Sequence, residues 1–254
     1  MAQTLGKAMK VIEAVAAHQP VEVRRLAELL SMPLPTVYRF ISSLEENGYV
    51  ERLSGNAKYQ LGLAFVRLGA IALRPFRLSD FVHPVLKDVA MRTGESVSFQ
   101  IRRGTDAICL DYVESDHSIR LSMRVGQLTP LYAGSGPKVL LAHADEGERE
   151  RIIRECMLKR IGPKTIRSKQ RLRQRLNSIA QRGYDISQEE LTENARGVAV
   201  PVFDSSSKVI AALTVSGPKY RMGRRQLLNT LAVLRDAARE LSNKFPSEFM
   251  MAAG

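Results

Sequence analysis

Few residues in this sequence have the types and spacing for covalent or metal chemistry. The four histidines, His18, His83, His117 and His143, are scattered, and neither a His-Glu-x-x-His nor a paired Cys-x-x-Cys occurs. Asp116, His117 and Ser118 are the residue types of a triad, but sequence neighbours on a strand point to opposite faces, which favours a loop or strand-end role. Gly134-Ser135-Gly136-Pro137-Lys138 shares part of its pattern with a phosphate loop and with a nucleophile elbow and completes neither. No catalytic residue, metal site or cofactor is expected.

Binding chemistry is better represented. Gly134-Ser135-Gly136 follows the run Thr129 to Tyr132 and opens a helix containing Lys138, Val139, Leu140 and Leu141. Its backbone N–H groups therefore sit free at a helix N-terminus, where an anion fits; a tight turn that needs small residues is the alternative. A second constellation is Thr36, Tyr38, Arg39, Ser42 and Ser43, all on the outward side of one helical run. Hydroxyls and an arginine at a helix start suit phosphate oxygens and base edges. Arg52 and Lys58 fall on two extended runs just beyond, placed to reach flanking DNA backbone in a sequence-blind, salt-sensitive way. A winged helix used only for protein contacts is the alternative.

The elements that position the second group can be read from spacing. Leu5, Ala8, Val11, Ile12 and Val15 predict a first helix ending at His18-Gln19-Pro20, and Val23 to Leu30 a second that buries Leu26, Leu29 and Leu30. Pro35 suits the first turn of a third, with Val37, Ile41 and Leu44 inward and Asn47-Gly48 as its stop. Two helices and a tight turn in so short a stretch predict a helix-turn-helix. Tyr49 to Leu53 and Lys58 to Leu61 around a Gly55-Asn56 turn add a β-hairpin wing.

Residues 63–74 form an apolar helix with Arg67 and Arg74 its only charges, ending at Pro75. So much apolar surface needs a cover, which a partner chain supplies; packing back on its own chain is the alternative. From Ser79 a helix leads into extended runs Ser96 to Arg102, Ala107 to Val113 and Ile119 to Val125. Later strands are Ala195 to Phe203 and Val209 to Ser216, split by a turn at 204–207, and a last helix runs from Gly223 to Lys244. The turns are too short for crossovers, so the sheet is mainly antiparallel with helices beside it: an α+β class.

The chain has 254 residues, enough for two ordinary domains, and its apolar and charged fractions exclude a disordered chain. No run approaches a spanning helix and the N-terminus is amphipathic, so a cytoplasmic protein without membrane contact is expected. Cys109 and Cys156 lie in apolar-periodic segments and read as buried thiols. Net charge is +12, but residues 146–182 alone carry 12 basic and 4 acidic side chains. There Leu172, Leu176 and Ile179 mark a helix whose arginines would coat an outer face, so bulk charge is no evidence for DNA.

Taken with the winged helix-turn-helix, three blocks are similar in order and spacing to the IclR family of bacterial transcription regulators. They are GQLTPLYAGSGPKVLLA (126–142), RGYDISQEE (182–190) and PVFDSSSKVIAALTVSGP (201–218), supported by HPVLKDVAMRTGESVSF (83–99) and DYVESDHSIRL (111–121). The resemblance implies a homodimer or dimer of dimers on double-stranded operator DNA and a GAF-like C-terminal domain that senses a small organic acid. It places effector contacts on Ser135 and Gly136, Ser187, Thr214 and Ser216. Where many members have Gly-Lys this chain has Pro137-Lys138, and where many have a cysteine it has Gly197, which is expected to leave extra room in the pocket. The domains expected are residues 1–61 for DNA, 62–78 as linker helix, and 79–254 for effector binding and oligomerisation. The function expected is an effector-responsive regulator of catabolic genes, repressor or activator; a small-molecule enzyme with a fused helix-turn-helix is the alternative.

Overall fold

The structure, a computed structural model, describes residues 2–53, 57–73 and 81–245. The chain divides into two compact units, Met1–Arg74 and Pro75–Gly254. The wing turn at 54–56, the end of the linker helix at 74–78 and the helix start at Ser79 lie outside the described residues.

The first unit runs α1 (Ala2–His18), β1 (Val21–Glu22), α2 (Val23–Leu30), α3 (Leu34–Glu46), β2 (Val50–Arg52), β3 (Lys58–Leu61) and α4 (Ala64–Leu73). Its three-stranded antiparallel sheet places β3 between β1 and β2. Val11, Val15, Leu26, Val37, Phe40, Ile41 and Tyr59 form one core. Leu29 is a correction: it is 37% exposed, because it sits about a quarter-turn off the stripe set by Val23, Leu26 and Leu30. Phe40, which the spacing argument left out, takes a core place instead. On α4 the Phe65 ring packs edge-on to Tyr49 at 5.4 Å, which ties that side to its own unit. Leu63, Val66, Leu68 and Ile71 remain exposed.

The second unit contains α5 (His83–Thr93), β4 (Ser96–Arg103), β5 (Asp106–Val113), β6 (Leu128–Pro130), α6 (Ser135–Ala142), α7 (Glu146–Glu155), α8 (Lys169–Arg182), β7 (Asp185–Gln188), β8 (Ala195–Phe203), β9 (Val209–Pro218) and α9 (Arg224–Ser242). The sheet order is β6-β5-β4-β9-β8-β7, and each neighbouring pair is antiparallel. On one face α5 and α9 lie against β4 and β8, with Phe99 stacked on Phe245. On the other, α6 crosses β4, β8 and β9 and is backed by α8. Leu131, Val139, Leu141, Leu172, Leu176 and Ile179 fill the space between them.

Two expectations change here. Residues 119–125 are irregular rather than a strand. The outer edge of β5 is taken by β6, paired through Asp106 to Ile108, and the preceding segment is held instead by Ser96 Oγ and Tyr112 OH donating to Leu121 O at 2.8 and 2.6 Å. The arginines of α8 do not simply coat a surface either: Arg173 binds Glu150, while Arg175 and Arg182 fold onto buried Asp185. Strands β1 and β7 have two and four residues, too few for an alternation to register.

The corrected register on α2 predicts unequal costs of truncation. Leu26→Ala, at a fully buried site, should lower stability in urea unfolding by about 2–5 kcal/mol, and Leu29→Ala by less than about 1 kcal/mol.

Candidate functional site

The sheet face under α6 is polar in its middle. Ser96, Ser98 and Gln100 alternate along β4 with Val97 and Phe99, so their side chains share the face opposite the α5 and α9 layer. Antiparallel pairing brings Ser187, Gly197, Ser216 and Ser96 into one row across β7, β8, β9 and β4, with Thr214 and Ser98 in the parallel row beside it. Helix α6 starts directly above these rows. Its N-cap, Gly134, has φ +87°, a conformation other residues adopt at a cost, and all eight helical residues are buried.

Gly136 lets the helix start close on the sheet: a Cβ there would run into Gln100 Oε1 and Thr214 Oγ1. Gly197 does the same for the hydroxyl row, since a Cβ would meet Ser135 Oγ at 2.8 Å, Ser187 Oγ at 3.2 Å and Ser216 Oγ at 3.3 Å. The expected extra room at Gly197 is therefore already taken by three hydroxyls that converge on it. Between these groups and the 119–125 segment lies a cavity of about 470 Å³.

Ser135, Gly136, Ser187, Gly197, Thr214 and Ser216 all border this one cavity. Three polar atoms on its wall, Gln100 Oε1, Ser135 Oγ and Thr214 Oγ1, are buried without a hydrogen-bond partner among the described residues. Buried oxygens of this kind are ordinarily satisfied, so the wall is built to accept donors or to turn its hydroxyls toward an acceptor. Helix geometry leaves the Ser135 and Gly136 N–H groups without an intrahelical acceptor, while the Gly134 N–H already donates to Glu190 Oε2 at 3.0 Å.

Sequence spacing missed Gln100, Ser96 and Ser98, although the alternation in Ser-Val-Ser-Phe-Gln signals a strand with a polar face. It also missed the charges behind α6. Lys138 is fully buried; its Nζ donates to Glu190 Oε1 and lies 3.1 Å from Asp185 Oδ2, and Asp185 also holds Arg175 and Arg182 at 2.6 and 2.9 Å. A single lysine in an otherwise apolar helix was the available signal. Next to Glu190, Glu189 also borders the cavity; Lys164 at 2.6 Å, with Gln188, brings its carboxyl down from the ordinary 4.5 to about 2.

In the first unit Tyr38, Arg39, Ser42 and Ser43 are exposed on α3 and Thr36 is half-buried, so these five share one accessible side. The Arg39 guanidinium lies 5.9 Å from the centre of the Phe40 ring. Arg52 is exposed at the end of β2 and Lys58 half-buried at the start of β3, on the two strands that pair there.

Both units match known families. Residues 4–54 match the IclR helix-turn-helix domain and residues 71–243 the bacterial transcriptional regulator IclR C-terminal domain. The chain belongs to the IclR family. It is 30% identical to the HTH-type transcriptional regulator KdgR of Escherichia coli, over 93% of this chain and 90% of that protein. Among solved structures, IclR of Thermotoga maritima is 30% identical with a TM-score of 0.79, covering 96% of this chain and 99% of that one. An IclR homologue from Microbacterium hydrocarbonoxydans, complexed with 4-hydroxybenzoate, is 25% identical with a TM-score of 0.81, covering 94% and 98%. This IclR-type chain is thus a transcriptional regulator with a DNA-binding helix-turn-helix and a C-terminal ligand-binding domain.

The depressed Glu189 carboxyl has a consequence at low pH. A folded-state pKa below the unfolded value adds stability above about 4.5 that is lost as pH falls toward 2. Glu189→Gln should flatten the acid limb of the stability profile over that window, and an unchanged slope in unfolding from pH 5 to 2 would refute the assignment.

Proposed function

We infer that this IclR-family regulator responds to a small organic carboxylic acid bound beneath α6 and controls genes for its catabolism. The observation that carries the reading is the convergence of three unpartnered buried oxygens and the start of α6 on one cavity. Amide N–H groups at the positive end of a helix favour a carboxylate, and the hydroxyls of Ser187, Thr214 and Ser216 suit a second polar group. A volume of about 470 Å³ favours an aromatic or branched acid over a two-carbon one. The 4-hydroxybenzoate complex of the Microbacterium homologue supports the same class of ligand.

At the DNA, we read Thr36, Tyr38, Arg39, Ser42 and Ser43 as the groove-facing set, with Arg52 and Lys58 on flanking phosphates. The exposed apolar side chains Val66, Leu68 and Ile71 on α4, with Leu63 just before it, support a homodimer formed through that helix. A two-fold protein then calls for a palindromic operator.

The DNA assignment separates two kinds of loss. Arg39→Ala should weaken specific operator binding by about 1–3 kcal/mol, while Lys58→Ala should weaken all sequences alike and flatten the salt dependence. If both variants bind the operator like wild type at 0.15 M salt, this docking face is wrong.

Ligand charge is tested by calorimetry with matched pairs, 4-hydroxybenzoate against 4-hydroxybenzamide and pyruvate against its primary amide. At least one acid should bind about tenfold or more tightly than its amide, roughly 1.4 kcal/mol, and Ser135→Pro, which deletes one helix N–H, should erase the gap. Equal affinity of acid and amide would leave the glycines as a turn and nothing more.

A further inference from the structure

The charges behind α6 do more than fill space. Glu190 puts a carboxylate directly on the Gly134 N–H, one residue from Ser135 and on the wall of the cavity. An internal anion at that point would occupy the helix end and repel a carboxylate ligand. Lys138, one turn further along α6 and fully buried, binds the other oxygen of the same carboxylate. It also reaches Asp185, whose opposite oxygen holds Arg175 and Arg182. Lys138, Arg175 and Arg182 outnumber Glu190 and Asp185 by one charge, so the cluster behind the helix start is net positive. The remaining charges at the cavity are committed elsewhere: Glu189 to Lys164 and Lys219, Arg120 to Glu114, and Arg196 to Gln188 and the Met222 carbonyl.

We propose that Lys138 and Glu190 set the charge preference of the cavity: Glu190 clamps the start of α6 through Gly134, and Lys138 cancels the clamp's charge so that an anion is accepted beside it. Neither residue is assigned a ligand contact; both act through the helix start and are positioning residues. The specificity claim rests on the carboxylate reading above, whereas the charge balance itself can be measured without any ligand.

The ligand-free measurement places a thiol at the helix start. In a Cys156→Ser background, Ser135→Cys is titrated by thiolate ultraviolet absorbance; the native thiol of Cys109, pushed up to about 12 by burial, stays silent in the working range. Adding Glu190→Gln, which keeps an acceptor for Gly134 but removes a negative charge, should lower the Ser135→Cys thiol pKa by about half a unit or more. Adding Lys138→Met should raise it by a similar amount, and the double change Lys138→Met with Glu190→Gln, which restores the original charge balance, should return it near the parent. A role limited to packing would move both single variants the same way. Should Lys138→Met not fold, Glu190→Gln and the double variant still decide. A thiol that rises or stays put in Glu190→Gln, or a double variant displaced as far as the single, overturns the proposal. The acid-over-amide ratio, read with the calorimetric pairs above in proteins with native Ser135, should follow the same order. It should be at least the wild-type value in Glu190→Gln, below about threefold in Lys138→Met, and recovered in the double variant. A wild-type protein with no acid preference but the expected thiol series would refute the carboxylate reading and leave the charge balance standing.

Discussion

A lysine with no solvent exposure constrains the whole effector unit. Taking an ammonium group out of water costs several kcal/mol unless carboxylates meet it at close range, and Lys138 is met from β7 by Asp185 and from the following turn by Glu190. Those carboxylates need partners in turn, which Arg175 and Arg182 of α8 and the Gly134 amide supply. Helix α6, helix α8 and the edge of the sheet are therefore fixed against one another by a single connected set of charges. Removing Lys138 or Glu190 leaves the remaining buried charge with fewer partners, which is costly in so dry a setting. A network of this sort contributes more to position than to net stability.

The position so fixed explains why small residues gather at the helix start. Gly136 and Gly197 are where α6 and the hydroxyl row approach too closely for a Cβ, so the glycines follow from the approach and not from turn geometry alone. Gly134 is different, because its positive φ is a backbone requirement. Gly-Ser-Gly thus serves two purposes: one glycine bends the chain into the helix, and the other brings the amide end within reach of Gln100 and Thr214.

How much of this was legible follows from the physics of each signal. Helical stripes in the first unit repeat over several turns, and that redundancy places α1 to α3 even though Leu29 was put on the wrong side. The five α3 residues proposed to face DNA are local to one helix, so a single period is enough to put them on one accessible side. The cavity is not local. Ser187, Gly197 and Ser216 share a row only because three strands pair in one register, which no periodicity within a strand encodes; it was the family resemblance that brought them together. The 119–125 segment misled because its alternation marks no continuous buried face: Leu121 and Met123 border the cavity, but Ile119 and Val125 are exposed. The arginines of α8 misled for a related reason: sequence gives their spacing but not the buried aspartate that draws two of them inward.

Specificity in such a cavity should come from hydrogen-bond demand more than from size. One methylene group more or less alters affinity by about 1–3 kcal/mol. A ligand that leaves a buried donor or acceptor unmatched loses about 1–3 kcal/mol for each one, and Gln100 Oε1, Ser135 Oγ and Thr214 Oγ1 present three such positions within one wall. Three modest demands, all imposed on one molecule, separate it from near neighbours more sharply than walls of aliphatic side chains of the same volume. That arrangement suits a regulator that must answer one metabolite among many of similar shape. It also accounts for a polar sheet face in the middle of the second unit, at a cost in folding stability that an apolar face would have avoided.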